Sequence, residues 1–391
     1  MRKGWAAFCL LLGLSFLSGC WDRVEIEERG FVVGAGIDMA GEEEQGKGKY
    51  VLTFQFVIPG GLQGKEGGGK DGRGSGGEAF FNLSSTGNTM FMAARDMSYT
   101  TSRSPYLQHI RMIIISEEMA KDGDFVKTLD LFLRDHEMRR ATKVMISEED
   151  TRELLNVKPK SEKLPVVYFE SVAQNPTKSS RIYPPVNIGD VQSFIIGKKS
   201  FALPRMRKMG NEVSIAGAAI FNGSSNRLLG YLEDDETSGL NLLRGSAQDG
   251  VLEFKLDNEY VAFEIKGSRR EITADVSDPE RIRFTIKINM EGNVGETQEQ
   301  IDLMDPSQLA KIKREAESEL LRLTTSTVEK LQREFATDVM ELGDYLKQEY
   351  FSVWKDIEDN WDHGENIFAK SEITIETKVH VRIIGSTVET K

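Results

Sequence analysis

Four histidines, two cysteines and 62 acidic side chains are the groups from which this 391-residue chain could build chemistry. His109, His136, His363 and His380 are widely spread, and although His136-Glu137 opens like a zincin helix motif, Arg140 stands where the second histidine belongs. Residues 72–77, Gly-Arg-Gly-Ser-Gly-Gly, satisfy GxGxxG in form only. A dinucleotide fingerprint must open a helix directly after a strand, and this one lies in low-complexity sequence. Gly34-Ala35-Gly36 does follow a strand, yet an acidic turn and a second strand come next, so no helix N-terminus would receive a phosphate. No serine sits in a G-x-S-x-G elbow. Carboxylates such as Glu233, Asp234, Asp235 and Glu236 are abundant, but a glycosidase pair is defined by its separation in space, and an acidic run ordinarily forms a solvated face. The pattern predicts no catalytic residue, no metal site and no cofactor.

The side chain with legible chemistry is Cys20. A cationic Met1-Arg2-Lys3 leads into an apolar run from Gly4 to Phe16 and then Leu17-Ser18-Gly19-Cys20. That run falls short of the ~20 apolar residues a membrane span needs and has the build of an export signal. Its ending resembles the lipobox of bacterial lipoproteins, in which the cysteine carries diacylglycerol through a thioether and becomes the first mature residue. Residues 1–19 are then a leader. Cys9 leaves with it, so Cys20 is the sole remaining thiol and no intramolecular disulfide can form.

Fifty basic side chains against 62 acidic ones give a net charge of -12, and loss of Arg2 and Lys3 takes it to about -14. Such a chain is repelled by nucleic acid, which is excluded as a partner, and by anionic lipid. Membrane attachment therefore rests on covalent lipid, which holds stably with two acyl chains.

The elements follow from hydrophobic periodicity. Arg29–Ala40 and Lys49–Pro59 read as a β-hairpin, followed by a glycine-rich loop over 60–77. Asn88–Met97 is helical, His109–Ser116 a buried strand, Asp124–Arg134 a helix, Thr142–Ser147 a strand and Asp150–Val157 a short helix. This alternation predicts a small βαβ unit with parallel pairing. Between Lys158 and Lys208 lie six of the ten prolines and ten basic residues against Glu162, Glu170 and Asp190. That segment reads as a basic middle subdomain, with Asp190–Ile196 a short helix. Its charge fits either solvated lysines or a face toward anionic headgroups or an acidic partner loop.

Strands are predicted at Val213–Asn222, Arg227–Leu232, Gly250–Leu256, Tyr260–Lys266, Arg270–Val276 and Arg281–Met290. Asp305-Pro306-Ser307-Gln308 carries a cap, a first-turn proline and a side chain able to reach back, so a helix starts there and is predicted to run to about Leu342. A second helix carries Tyr350, Trp354 and Trp361, and a strand through Ile373 and Ile383 closes the chain. Seven residues apart, the two tryptophans would share a helix face and either anchor it to the sheet or form a partner-binding centre. The class is α+β, with several domains and mostly antiparallel sheets carrying helices. Expected divisions are 20–157, 158–208 and 209–391.

These residues resemble the Ger(x)C spore-germination lipoproteins, the C subunits of nutrient germinant receptors. The likeness is carried by Cys20-Trp21-Asp22, Glu25-Ile26, Gly36-Ile37-Asp38 and Gln55, and by Arg134-Asp135-His136-Glu137-Met138-Arg139, similar to an R-D-x-E-x-R stretch. It continues through Ile215–Phe221, Leu229–Leu232, Glu236-Thr237 and Gly239-Leu240 to Gln332, Asp338, Gly343, Trp354, Trp361 and Phe368. Two departures are a longer glycine-rich loop and the family's D-I-F-G-F-G-like turn, which here reads Asp338-Val339-Met340-Glu341-Leu342-Gly343. The resemblance implies a non-catalytic accessory subunit of three α+β domains. It would be held by lipid on Cys20 at the outer face of the spore's inner membrane and assembled with two integral-membrane receptor subunits. A solute-binding lipoprotein of a transporter, which needs two βαβ lobes at a hinge, and an exported peptidoglycan hydrolase are the rivals.

Overall fold

The computed structural model describes residues 29–44, 46–62, 78–175, 179–298, 302–303 and 305–382; Cys20 and residues 63–77 lie outside them. The chain enters through β1 (Arg29–Met39), which forms the expected hairpin with β2 (Tyr50–Val57), and β3 (Phe80–Gly87) extends it. After β4 (Ser104–Tyr106), β5 (Met112–Ser116) and β6 (Lys143–Ser147) run parallel to β1, joined by the Phe125–Arg134 helix in the predicted βαβ unit. β7 (Val186–Asn187), β8 (Phe201–Met209), β9 (Glu212–Ser214), β10 (Ala218–Asn222) and β11 (Arg227–Leu232) complete a mixed sheet of order β11-β10-β8-β6-β5-β1-β2-β3. This sheet runs across the 157/158 division, because β8 pairs parallel with β6, Ile146 opposite Arg205, and across the 208/209 division, because β10 pairs antiparallel with β8, Ala218 opposite Pro204.

The unbroken apolar run Met112-Ile113-Ile114-Ile115 exists because both faces of the sheet are covered. Ile113, Ile115, Val144 and Ile146 face Phe125, Leu129 and Phe132, while Met112, Ile114 and Met145 face Leu154, Leu155, Val166 and Phe169. Gly36-Ile37-Asp38 fixes one of these layers. A Cβ on Gly36 would run into the Thr151 hydroxyl. Two residues on, the buried Asp38 carboxylate accepts from Thr151 N at 2.9 Å and from Thr151 Oγ1 at 2.5 Å, pinning the Thr151–Leu155 helix. Burial pushes the Asp38 carboxyl up to about 7, against the pull of those two bonds.

The second sheet has the order β12 (Gly250–Leu256), β13 (Glu259–Asp275), β14 (Arg283–Thr297) and β15 (Glu372–Arg382), antiparallel except for β14 with β15. Tyr260–Lys266 and Arg270–Val276, expected as two strands, are one; Gly267-Ser268 is absorbed as a register shift because β14 pairs along the whole length. The Pro306–Lys330 helix lies on this sheet through Ile312, Ala316, Leu320 and Leu323. Its start is as read: Asp305 Oδ1 accepts from Ser307 N at 2.8 Å, although Gln308 reaches back to Asp302 N, at 2.6 Å, instead of to the cap.

Its end is not as read. A π turn over Leu331–Phe335 keeps the apolar stripe buried, Ala336 then takes a left-handed φ of 49°, and Leu342–Glu349 is a separate helix. Trp354 belongs to the short Phe351–Ile357 helix, and Trp361 follows a further turn, so the two do not share one helical face. The Asp234–Leu243 helix was not anticipated; its capping box is built from Glu233 and Glu236, inside the acidic run. The class is α+β, and the described residues do not form the two hinged βαβ lobes of a solute-binding protein.

Candidate functional site

Cys20, the one residue assigned a chemistry, lies outside the described residues, which begin at Arg29. Arg29 stacks over the Tyr106 ring at 4.0 Å and pairs with Glu137 at 3.5 Å. The R-D-x-E-x-R-like stretch is thus a brace for the entry of β1: Asp135 accepts from Glu137 N at 2.7 Å and Glu137 holds Arg29.

The later motif residues converge on one seam between the first sheet and the C-terminal unit. Gly239 lets the Asp234–Leu243 helix touch the long helix, since a Cβ there would strike the Thr327 hydroxyl, which donates to Glu236 O at 3.0 Å. Gln332 donates to Phe368 O and Ser371 O, both at 2.9 Å, tying the π turn to the start of β15. Between them lies the 338–343 turn. The fully buried Asp338 carboxylate accepts from Met340 N at 3.0 Å, Leu342 N at 3.3 Å, Gly343 N at 2.7 Å and Trp361 Nε1 at 2.9 Å. Burial raises its pKa above the ordinary carboxylate value while the N–H donors pull it down.

Glu341 stands where the family pattern has glycine, and it keeps a left-handed φ of 68°. Its carboxylate is gripped by Arg244 at 2.6 Å, from the end of the Asp234–Leu243 helix, and by Arg270 at 3.3 Å, from β13. Arg244 also donates to Tyr183 OH at 2.6 Å and Val339 O at 3.2 Å, and Arg270 to Leu243 O at 2.9 Å and Met340 O at 2.7 Å. Burial lowers the Arg270 pKa, with Glu341 opposing. These two arginines were not singled out from the sequence, and nothing local could have marked them: the pairing spans 97 positions in one case and 71 in the other.

A cleft of about 410 Å³ opens beside this turn, lined by Phe194, Lys199, Asp338, Trp354, Trp361 and His363 among others. Lys199 closes one side by pairing with Asp344. Trp361 is 3% exposed and packs edge-on against Phe284 and Phe368, so it anchors the segment to the sheet. Trp354 meets Trp361 edge-on at 6.1 Å. Asp338 has its oxygens taken by N–H donors of its own turn and of Trp361, which suits a structural tie rather than a proton shuttle. Among the described residues no group of His, Cys, Asp and Glu could hold a metal ion.

The basic segment is largely spent internally. Arg205 pairs with Glu148 and with Glu233 at 2.8 Å, Arg207 with Asp234 at 3.8 Å, Arg181 with Asp235 at 3.7 Å and Lys208 with Glu153 at 2.7 Å. The positive stretch and the acidic run at 233–235 are therefore partners across the fold.

Two family models match this chain, the spore germination protein N-terminal domain over residues 22–208 and the spore germination B3/GerAC-like C-terminal domain over 216–385. The chain belongs to the Ger(x)C family of spore germination proteins. Curated Ger(x)C relatives from Bacillus subtilis (strain 168) include spore germination protein YndF, 27% identical over 98% of this chain and 96% of that one. Spore germination protein A3 is 28% identical over 97% of both, and spore germination protein B3 26% identical over 97% and 96%. The crystal structure of the GerBC protein superposes with a TM-score of 0.60 at 22% identity, covering 91% of this chain and 99% of that one, a likeness of fold. Of the seam residues, Gly239, Gln332, Asp338, Gly343, Trp361 and Phe368 are among those that carry the Ger(x)C resemblance, whereas Arg244 and Arg270 are not.

Proposed function

We propose that this chain is a non-catalytic, lipid-anchored accessory subunit that scaffolds a germinant receptor with two integral-membrane partners at the outer face of the spore's inner membrane. The observation that carries the reading is the pair of family models covering 22–208 and 216–385 directly behind the Leu17-Ser18-Gly19-Cys20 leader ending. No helix among the described residues is long and apolar enough to cross a membrane, so a covalent anchor on Cys20 would supply the attachment. A scaffold needs surfaces held at fixed separation, and the Arg244–Glu341–Arg270 clamp supports this by fixing the end of the Asp234–Leu243 helix and the 338–343 turn to β13 of the second sheet.

The test is genetic and biochemical together. Spores carrying Cys20→Ala as the only copy should lose nutrient-triggered germination while still germinating with a non-nutrient trigger, and the wild-type chain should co-purify from spore membranes with two integral-membrane proteins. Normal nutrient germination with Cys20→Ala, or purification without membrane partners, would refute the reading.

A further inference from the structure

Resting on that anchored reading, we propose that the end of the first sheet at which β1 begins is a lipid-facing surface that docks on anionic headgroups through Arg103, Arg139 and Arg140. Cys20 and Arg29 are nine positions apart, a reach of at most about 30 Å when fully extended. An acylated Cys20 therefore keeps this end of the sheet close to the bilayer. Parallel pairing gathers cations there: Arg29 lies opposite Ser104, and Met112 opposite Lys143, so the segments leading into β4, β5 and β6 sit side by side.

Two carboxylates of this end are paired with cations, while Asp135 and the exposed Asp190 accept from the backbone N–H groups of Glu137 and Asn187. Glu137 pairs with Arg29, and Glu170 with Arg111 at 2.6 Å and Lys143 at 2.5 Å. Arg103, Arg139 and Arg140 are exposed and, among the described residues, have no ion pair with a carboxylate. Arg139, His109 and the paired Arg111 and Glu170 line a cavity of about 320 Å³, in which the guanidinium of Arg139 is the one left to meet a phosphodiester. Tyr99, just ahead of Arg103, is 86% exposed, the kind of amphipathic ring that settles at headgroup level.

Charge complementarity selects an anionic bilayer as the occupant. A mature chain of net charge about -14 is repelled by such a surface as a whole, and a tether alone would let it point any face inward. A cationic end at the tether turns that repulsion into orientation, with the acidic bulk directed away. At the attraction available per basic residue near anionic lipid, three arginines favour the docked orientation roughly hundredfold.

The test uses the full-length lipidated protein reconstituted in vesicles of phosphatidylcholine alone or with phosphatidylglycerol. Because Cys20 is acylated, a single introduced thiol can be labelled with a fluorophore, as Ser102→Cys at the basic end or Glu43→Cys at the opposite end of β1, and quenched by spin-labelled lipid. In phosphatidylglycerol vesicles, quenching at 102 should exceed that at 43 several-fold and weaken in high salt. Adding Arg103→Gln, Arg139→Gln and Arg140→Gln together should cut the docked-to-undocked ratio about a hundredfold, to the phosphatidylcholine level, with an unchanged far-UV spectrum. The corresponding glutamate triple, which adds repulsion, should lose at least as much. Flotation with neutral vesicles reads the anchor alone. Loss of flotation there with binding kept on phosphatidylglycerol would remove the anchor and retain the surface. Flotation with equal quenching at both positions, or quenching blind to lipid charge or to the arginines, overturns the surface.

Discussion

Replacing Glu341 separates two opposing terms that the structure places on one residue. The left-handed backbone at φ 68° costs a non-glycine residue about 1–2 kcal/mol. Against this stand ion pairs to Arg244 and Arg270, whose side chains are 23% and 18% exposed, with Glu341 at 28%. Removing one partner costs about 3–5 kcal/mol in a fully buried pair and under about 1 kcal/mol at the surface, so this partly covered clamp is worth about 2 kcal/mol. Glu341→Ala keeps the strain and loses the clamp, and should be about 2 kcal/mol less stable than the parent. Glu341→Gly loses the clamp but relieves the strain, and should lie about 1 kcal/mol above the alanine variant. Urea unfolding followed by tryptophan fluorescence is a suitable readout, since Trp361 donates to Asp338 within the same turn. An alanine variant as stable as the parent, or a glycine variant below the alanine one, would refute the reasoning.

Other consequences follow from the same packing. Asp38, ordinarily near 3.8, is raised to about 7 in the fold, so it adds no burden below pH 4 and destabilises progressively as pH rises toward 7. The full effect is up to about 4 kcal/mol. Asp38→Asn should flatten the dependence of melting temperature on pH between 4 and 8, and an unchanged slope would contradict the assignment. Gly36→Ala should destabilise by about 2 kcal/mol or more, because the added methyl displaces the Thr151 hydroxyl that serves Asp38; a calorimetric melt within a degree of the parent would count against it. Leu320→Ala, under the centre of the long helix and fully buried, should cost about 2–5 kcal/mol by urea unfolding, and a loss below 1 kcal/mol would show that the helix is not seated on the second sheet.

Much of this was legible where periodicity is local. The β1–β2 hairpin, the parallel β5 and β6 about the Phe125–Arg134 helix and the capped start at Asp305 all announce themselves within a few residues. What was hidden is non-local or uses unusual chemistry. The long helix was overrun because Leu331 and Phe335 continue its apolar stripe through a π turn, while the left-handed Ala336 that stops it carries no side-chain signal. The Asp234–Leu243 helix was passed over because glutamates, rather than serine or threonine, form its cap. The addition of β8, β10 and β11 to the first sheet was not anticipated, because parallel pairing of Ile146 with Arg205 depends on contacts far apart in sequence. Of the seam, Asp338, Gly343 and Trp361 were flagged, but Arg244 and Arg270 join them only in three dimensions.

The central claim is that the mature chain begins at a lipid-bearing Cys20, and mass spectrometry of the N-terminal peptide from membrane-extracted protein tests it most directly. The account predicts a peptide starting at Cys20-Trp21-Asp22 with the mass of a diacylglyceryl thioether on the cysteine. A peptide that retains the leader, or one that begins elsewhere with an unmodified thiol, would contradict it.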